Sequence, residues 1–430
     1  MIKRRIILIF TLIFVVASAG VLIGRWSIVG AEGEGYEELK VFTEALSMVK
    51  KNYVEDVKTK DLVYGAIKGM LSSLDPHSSF LNPEAYKEMQ AETKGEFGGI
   101  GIQIGIKEGM LTVIAPIEDT PASRAGIKAG DKIIKINNES TKDMGLHDAV
   151  NKMRGVPKTS VTVTILREGW KETKDFTLVR ELIKIKSVKS KLLEDGIGYI
   201  KMSQFQEQTA ADLSTALEKL GQEKMNSLIL DLRNNPGGLL NSAVSVTSQF
   251  LPPGKLVVYI KGKKGERTEF NTGGDLPNYD MPMIVLVNEG SASASEIVAG
   301  ALKDWNRAVI LGAKTFGKGS VQSVIPLSDG SGLRLTTAIY YTPKGTSIQA
   351  AGIGPDIIVK LETKEKAKEH PVIREKDLEG HLENNQGKEV PKEPEEMVPI
   401  EVEEKEDAQL QRAIDLLKTW KVFKELPKAA

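Results

Sequence analysis

Three serines alternate along Gly290-Ser291-Ala292-Ser293-Ala294-Ser295-Glu296, and a lysine stands between glycines at Phe316-Gly317-Lys318-Gly319. Each stretch follows an apolar run that reads as a buried strand, and open α/β sheets place their sites at the C-terminal ends of such strands. Small residues fill the bend before a helix, whose start offers unpaired N–H donors and partial positive charge. A serine there could attack a carbonyl while the adjacent N–H holds the oxyanion. Plain capping, with Ser293 or Ser295 as N-cap, is the other reading. A lysine in such a turn can serve as a base only when neutral. Its amine must fall from ~10.4 by roughly 3 pH units, at ~4 kcal/mol, and burial against Phe316 and the neighbouring strand could supply this. Gln322 lies four residues on, ~13 Å along a straight strand, so its amide can orient the lysine only across a bend, expected at Gly319. No Gly-x-x-x-x-Gly-Lys-Ser/Thr spacing exists, so the loop is not a Walker A turn. A third turn, Asp231-Leu232-Arg233-Asn234-Asn235-Pro236-Gly237-Gly238, ends another buried strand, and its backbone N–H groups could donate to an anion.

Composition narrows the chemistry. The 430 residues leave room for two to four domains. Lys plus Arg and Asp plus Glu both number 58, and this balance argues against nucleic acid as a partner. With no cysteine there can be no disulfide, thiol nucleophile or thiolate zinc site. The four histidines are His77, His147, His370 and His381, so none lies between 148 and 369 and the chemistry must run without a histidine base. His77, in Asp75-Pro76-His77-Ser78-Ser79, reads as a turn or cap residue. No metal or other cofactor is implied.

The elements that must hold these turns follow from periodicity. Lys3, Arg4 and Arg5 precede an apolar run over 6–23, and Ala17-Ser18-Ala19 fits a cleavage site. Residues 1–24 are therefore a signal peptide or a membrane anchor, with the rest outside the cytoplasm. Residues 36–94 read as helical, with Asn82 capping a helix opened by Pro83. Residues 95–180 form a compact, mostly β unit. From 181 to 360 strands near 197–201, 227–232, 283–287, 308–311 and 333–341 alternate with helices near 208–221, 239–250 and 295–303, the first ending on Gly221. That order predicts an α/β domain with a largely parallel sheet. Residues 361–407, rich in Glu, Lys and Pro, read as a solvated linker. Residues 408–426 form a helix whose stripe of Leu410, Ala413, Ile414, Leu416 and Leu417 must bury against its own protein or a second subunit, which points to a homodimer.

Two resemblances sharpen this. In the β unit, Gly98-Gly99-Ile100-Gly101-Ile102 could gather N–H groups around a terminal carboxylate, with Ile102 and Ile104 as pocket walls. The stretch Pro121-Ala122-Ser123-Arg124-Ala125-Gly126-Ile127-Lys128-Ala129-Gly130-Asp131 resembles PDZ domains, which implies binding of C-terminal peptides at Gly99, Ile100, Gly101, Ile102 and Ile104. The three turns together resemble the carboxyl-terminal processing peptidases of family S41, the tail-specific proteases. The resemblance implies a multidomain fold: an α/β (crotonase/ClpP-like) catalytic core, an inserted mostly-β PDZ domain and flanking helices. It places the nucleophile on Ser293, the general base on Lys318 and the lysine-orienting amide on Gln322. The implied oxyanion donors are the N–H of Ala294 and of Gly237 or Gly238. The implied activity is a serine endopeptidase that takes protein or peptide substrates by free C-termini and cuts exported proteins through an acyl-enzyme. The alternative is a catalytically silent PDZ adaptor on the same scaffold. A trypsin-like enzyme is excluded, since Pro236 stands where its serine would be and the histidine is missing.

Overall fold

The computed structural model describes residues 35–107, 109–274, 279–359, 373–384 and 407–425. The expected signal or anchor, residues 1–24, lies outside these. Among the described residues no helix is long and apolar enough to cross a membrane. Residues up to Met70 form one unit and those from Leu71 another. The first holds the helix Tyr36–Asn52 and most of the helix Thr59–Ser72.

The second unit is built on a six-stranded sheet, in the order Val188–Leu192, Ile197–Met202, Ser227–Asp231, Met283–Val287, Val309–Gly312, Ile357–Ile358. Only the first pair is antiparallel. Ser227–Asp231 and Met283–Val287 are buried at every position, as strands covered on both faces must be. Side chains alternate between those faces. Leu228 and Leu230 join the cluster beneath the helices Thr209–Gln222, Leu240–Thr247 and Ala294–Asp304, while Ile229 faces the other way. There the C-terminal helix Ala408–Glu425 lays Leu410, Ala413, Ile414 and Leu417 on Ile197, Ile229, Ile284, Leu286 and Leu311. The stripe that pointed to a homodimer is thus buried by its own chain, and that ground for a dimer falls away.

Other expectations shift as well. The helix expected to stop on Gly221 runs to Gln222, and the N–H of Glu223 closes it by returning to the carbonyls of Lys219 and Gly221. A second, antiparallel sheet was not expected at all. Gly332–Tyr341 is its spine, flanked by Ser79–Leu81, Leu256–Gly262 and Ser320–Pro326, with Arg267–Asn271 at the edge. It matters because Gln322 rides on Ser320–Pro326, opposite Thr336. Asn82 caps Pro83–Lys94 as expected, its Oδ1 accepting from Ala85 N–H.

The β unit is a six-stranded sheet of Ile102–Lys107, Met110–Pro116, Lys132–Ile136, Ser160–Leu166 and Lys174–Val179, with the short Glu139–Ser140 paired to Lys132–Ile136, and it has its own apolar core. Glu96–Gly99 pairs antiparallel with Glu181–Lys184, closing the neck where the chain enters and leaves it. Asp131 is buried and takes a two-pronged bond from Arg167, at 2.6 and 2.7 Å. Residues 373–384, expected to be part of a solvated linker, are docked instead, with Glu375 fully buried.

Candidate active site

The serine turn and the lysine turn meet on one side chain, Glu296. Its Oε2 accepts from the N–H of Ser293 (2.8 Å) and of Lys318 (2.9 Å). The two nitrogens therefore lie no more than about 6 Å apart, the two bonds laid end to end. Its Oε1 accepts from the Thr315 hydroxyl (2.5 Å) and the Gly317 N–H (2.8 Å). Burial pushes this carboxyl up to about 7 against the four donors, which pull it down.

The three serines separate by environment. Ser291 and Ser295 are fully buried and donate their hydroxyl protons to the carbonyls of Leu232 and Asn235, both at 2.8 Å. Among the described residues no carbonyl accepts from the Ser293 hydroxyl, and this serine is only partly buried. It occupies the N-cap position of Ala294–Asp304 at φ 55° and ψ −113°. A left-handed φ on a non-glycine residue costs of order 1–3 kcal/mol and survives only where surrounding contacts impose it. Here Glu296 fixes its N–H. The Asn-Asn-Pro-Gly-Gly turn presses from the side, since a Cβ on Gly237 would lie 2.8 Å from Ser293 Cβ and 2.9 Å from Ala294 N. Gly237 has φ +102°, so glycine is required there twice over. Asn235 staples the two turns: its carbonyl accepts from Ala292 N–H (3.0 Å) and its Nδ2 donates to the Met202 carbonyl (2.9 Å).

The N–H groups that the sequence offered as oxyanion donors differ in their bonding. Gly237 N–H is spent inside its own turn, on Asn235 Oδ1 (2.9 Å). Among the described residues Gly238 N–H and Ala294 N–H, at the first position of its helix, have no acceptor. Gly237 N–H is thus already bonded within its turn, and its Cα backs Ser293.

The lysine turn is irregular yet completely bonded, which keeps a buried loop from carrying orphaned polar groups. Phe316 N–H donates to the Ser291 carbonyl, and the Phe316 carbonyl accepts from Glu375 N–H. The Gly317 carbonyl accepts from Ala350 N–H, and the Lys318 carbonyl from the Tyr340 hydroxyl. Gly319 N–H donates to Gln349 Oε1, and its carbonyl accepts from Tyr340 N–H. Burial pushes the Lys318 amine down and Arg334 pushes the same way, while Glu375, Asp75 and Glu296 pull it back up. The net direction is down, as a base requires. Tyr340, whose hydroxyl also interacts with the Ser293 side chain, is held well above the usual phenol range by burial and stays neutral.

Gln322 donates from Nε2 to Thr336 Oγ1 (2.8 Å), and its Oε1 is buried without a partner among the described residues. An ammonium would satisfy that oxygen. The bend expected at Gly319 is absent. The irregularity is a bulge at Val321/Gln322, where the register on Gly332–Tyr341 steps from Ala338 to Thr336.

Sequence reasoning named Glu296 and Arg233 only as members of their motifs and gave neither a role. Arg233 donates to Asp231 (2.6 Å) and to Asp407 (2.7 Å), tying the start of the Asn-Asn-Pro-Gly-Gly turn to the C-terminal helix. His77 lies in a turn as expected, with its N–H on Asp75 Oδ1, but its ring also pairs with Glu375.

In the β unit, Gly99, Ile100, Gly101, Ile102 and Ile104 line one groove of about 220 Å³ together with Leu146, Val150 and Met153. The N–H groups of Ile100 and Gly101 have no acceptor among the described residues.

The chain is similar to known proteins. Residues 196–359 match Peptidase family S41, 112–167 match the PDZ domain, and 27–85 match the activating protease CtpB N-terminal domain. The carboxy-terminal-processing protease of Bartonella bacilliformis is 44% identical over 417 residues, 95% of either chain. That of Synechocystis is 39% identical over 73% of this chain and 75% of its own. The processing protease CtpA of Bacillus subtilis is 36% identical over 84% of this chain and 78% of its own. The chain therefore belongs to peptidase family S41, among its PDZ-containing, serine-type carboxyl-terminal processing proteases.

Proposed function

We propose that this protease cuts exported proteins with a Ser293–Lys318 dyad, through an acyl-enzyme, after its PDZ domain has taken the substrate's C-terminus. The observation that carries the reading is the shared carboxylate of Glu296, which bonds the backbone of both residues. Neutral Lys318 takes the Ser293 proton as Oγ attacks the peptide carbonyl. Gly238 N–H and Ala294 N–H receive the oxyanion. The ammonium then gives its proton to the departing amine. Water, losing a proton to the same lysine, releases the acyl group. Gln322 Oε1, otherwise orphaned, accepts from the ammonium and holds its direction.

The free N–H groups of Ile100 and Gly101 above an apolar groove suit a terminal carboxylate and an apolar last side chain. The basic flank and apolar run of residues 1–24 support a place outside the cytoplasm, by export or anchoring. Turnover of an unstructured peptide by wild type, Ser293→Ala and Lys318→Ala tests the dyad. Losses of at least about a thousandfold are expected for both, and a Ser293→Ala enzyme with wild-type turnover would remove the assignment. Amidating the substrate's C-terminus should raise KM far more than it lowers kcat.

A further inference from the structure

Glu375 is the least expected residue near the dyad. It comes from residues 373–384, a charged stretch, yet it is fully buried. It reaches the lysine turn by three routes. Its N–H donates to the Phe316 carbonyl (3.3 Å). Its Oε1 accepts from Gln349 Nε2 (2.9 Å), and Gln349 Oε1 in turn accepts from Gly319 N–H (3.0 Å). Its Oε2 pairs with His77 Nε2 (2.7 Å). His77 belongs to the turn whose Asp75 accepts from Thr336 Oγ1 (3.1 Å), next to Gln322 Nε2 on the same hydroxyl. Gln349 also donates to the Leu382 carbonyl (3.0 Å), so the segment is fastened at both ends.

These bonds complement those of Glu296. Glu296 holds the N–H groups of Gly317 and Lys318, while Glu375 and Gln349 hold the flanking groups, the Phe316 carbonyl and Gly319 N–H. A buried carboxylate is costly unless paired, and this one is paired by Gln349, which bonds Gly319 of the lysine turn, and by His77, whose carbonyl accepts from Arg334. We propose that Glu375 is a positioning residue of the peptidase reaction, fixing the Lys318 turn and supplying negative charge that opposes Arg334 at the amine. This rests on the dyad reading above. The charges acting on Lys318 are Arg334, Glu375, Asp75 and Glu296. Those acting on Glu375 are His77 and Lys318.

Two variants separate charge from hydrogen bonding. Glu375→Gln keeps an oxygen for Gln349 and an N–H for His77 when the ring proton sits on Nδ1, so chiefly charge is lost. Removing a nearby negative charge disfavours the ammonium, so neutral Lys318 persists to lower pH. The acid limb of kcat/KM should move to lower pH, seen as a rise of about threefold or more, relative to the plateau, at a fixed pH on that limb. Glu375→Ala loses bonds as well, and its kcat should fall about tenfold to a hundredfold with KM within about twofold. A residue that only supports folding would lower the melting temperature and leave the limb in place. An unmoved limb in folded Glu375→Gln, or a limb moved to higher pH, overturns the proposal even where Glu375→Ala does not fold. Lys318→Ala in the same assay distinguishes the failures. Retained turnover there defeats the dyad itself, whereas an inactive Lys318→Ala beside an unmoved Glu375→Gln limb defeats only the role of Glu375.

Discussion

Replacing Glu296 by glutamine should separate activity from stability. The wild-type carboxylate accepts four hydrogen bonds, two on each oxygen. A glutamine offers one oxygen, so two donors lose their acceptor. If the amide nitrogen faces Thr315, the hydroxyl, which already accepts from Ile353 N–H (2.7 Å), can also accept from the amide. Gly317 N–H and the Thr315 proton are then orphaned. If the amide faces the other way, Ser293 N–H and Lys318 N–H are orphaned. Either costs about 2–6 kcal/mol at about 1–3 kcal/mol per buried donor. Against this, burial lifts the acid to about 7 from 4.5, so the ionised form is disfavoured in the fold by ~3 kcal/mol. Glutamine removes that penalty. The terms largely offset, leaving a net cost of about 3 kcal/mol or less, and the melting temperature should stay within about 12 °C of wild type. Turnover should still fall about tenfold to a hundredfold, because bonds that set the serine–lysine geometry are gone. Alanine abandons all four donors and should cost much of the fold's stability. The pH dependence has a definite sign. A raised carboxyl contributes stability that is complete below the ordinary carboxylate value and lost as pH rises through about 7. Glu296→Gln should therefore gain on wild type between about pH 5 and pH 8. Thermal unfolding at both pH values, with kcat/KM, decides it. A Glu296→Gln enzyme of wild-type turnover, or a Glu296→Ala protein as stable as wild type, would show that this carboxylate does not hold the two turns together.

Gly237→Ala places a methyl against Ala292 O, Ser293 Cβ and Ala294 N at a left-handed φ; it should destabilise by about 2–4 kcal/mol and cut kcat at least about a hundredfold, measured by unfolding and peptide turnover. Arg233→Met removes the cation that Asp231 and Asp407 share, leaving them the Tyr199 hydroxyl and the Leu410 N–H, and should cost about 3–5 kcal/mol at neutral pH. Burial pushes the Asp407 carboxyl up, but the bonds from Arg233 outweigh it and hold it below the usual range, so this stability is lost on acidification and the gap to wild type should narrow below about pH 4 in denaturant titrations. Arg334→Gln removes a cation that pushes Lys318 down, so the acid limb of kcat/KM should move to higher pH, opposite to Glu375→Gln.

The sequence was most legible where an unbroken apolar run makes up most of an element. Met283–Val287 and Ser227–Asp231 announce themselves as buried strands, and the small residues around Ser293 announce the bend that follows. The choice among Ser291, Ser293 and Ser295 was not legible from spacing, because it depends on which hydroxyls find carbonyls in a neighbouring turn. Arg267–Asn271 escaped notice since it is a largely exposed, polar edge strand with no apolar alternation, defined only by pairing with Leu256–Gly262. The bulge at Val321/Gln322 belongs to a strand pair rather than to one segment, so a bend at Gly319 was the natural and mistaken expectation. Glu375 was hidden by averaging: a charged stretch reads as solvated although one of its members is buried by His77 and Gln349, far away in sequence. Glu296 left a fainter trace, an acid at the third helical position after a serine cap, which is the pattern of a reciprocal cap.

The most direct measurement is the rate at which a fluorophosphonate, which loses fluoride to an attacking serine, labels the enzyme, followed by intact mass and peptide mapping. One adduct on Ser293 is expected, its rate rising with pH as Lys318 loses its proton, and Lys318→Ala should label at least about a thousandfold more slowly. An adduct on another residue, or equal labelling of Lys318→Ala, would contradict the account.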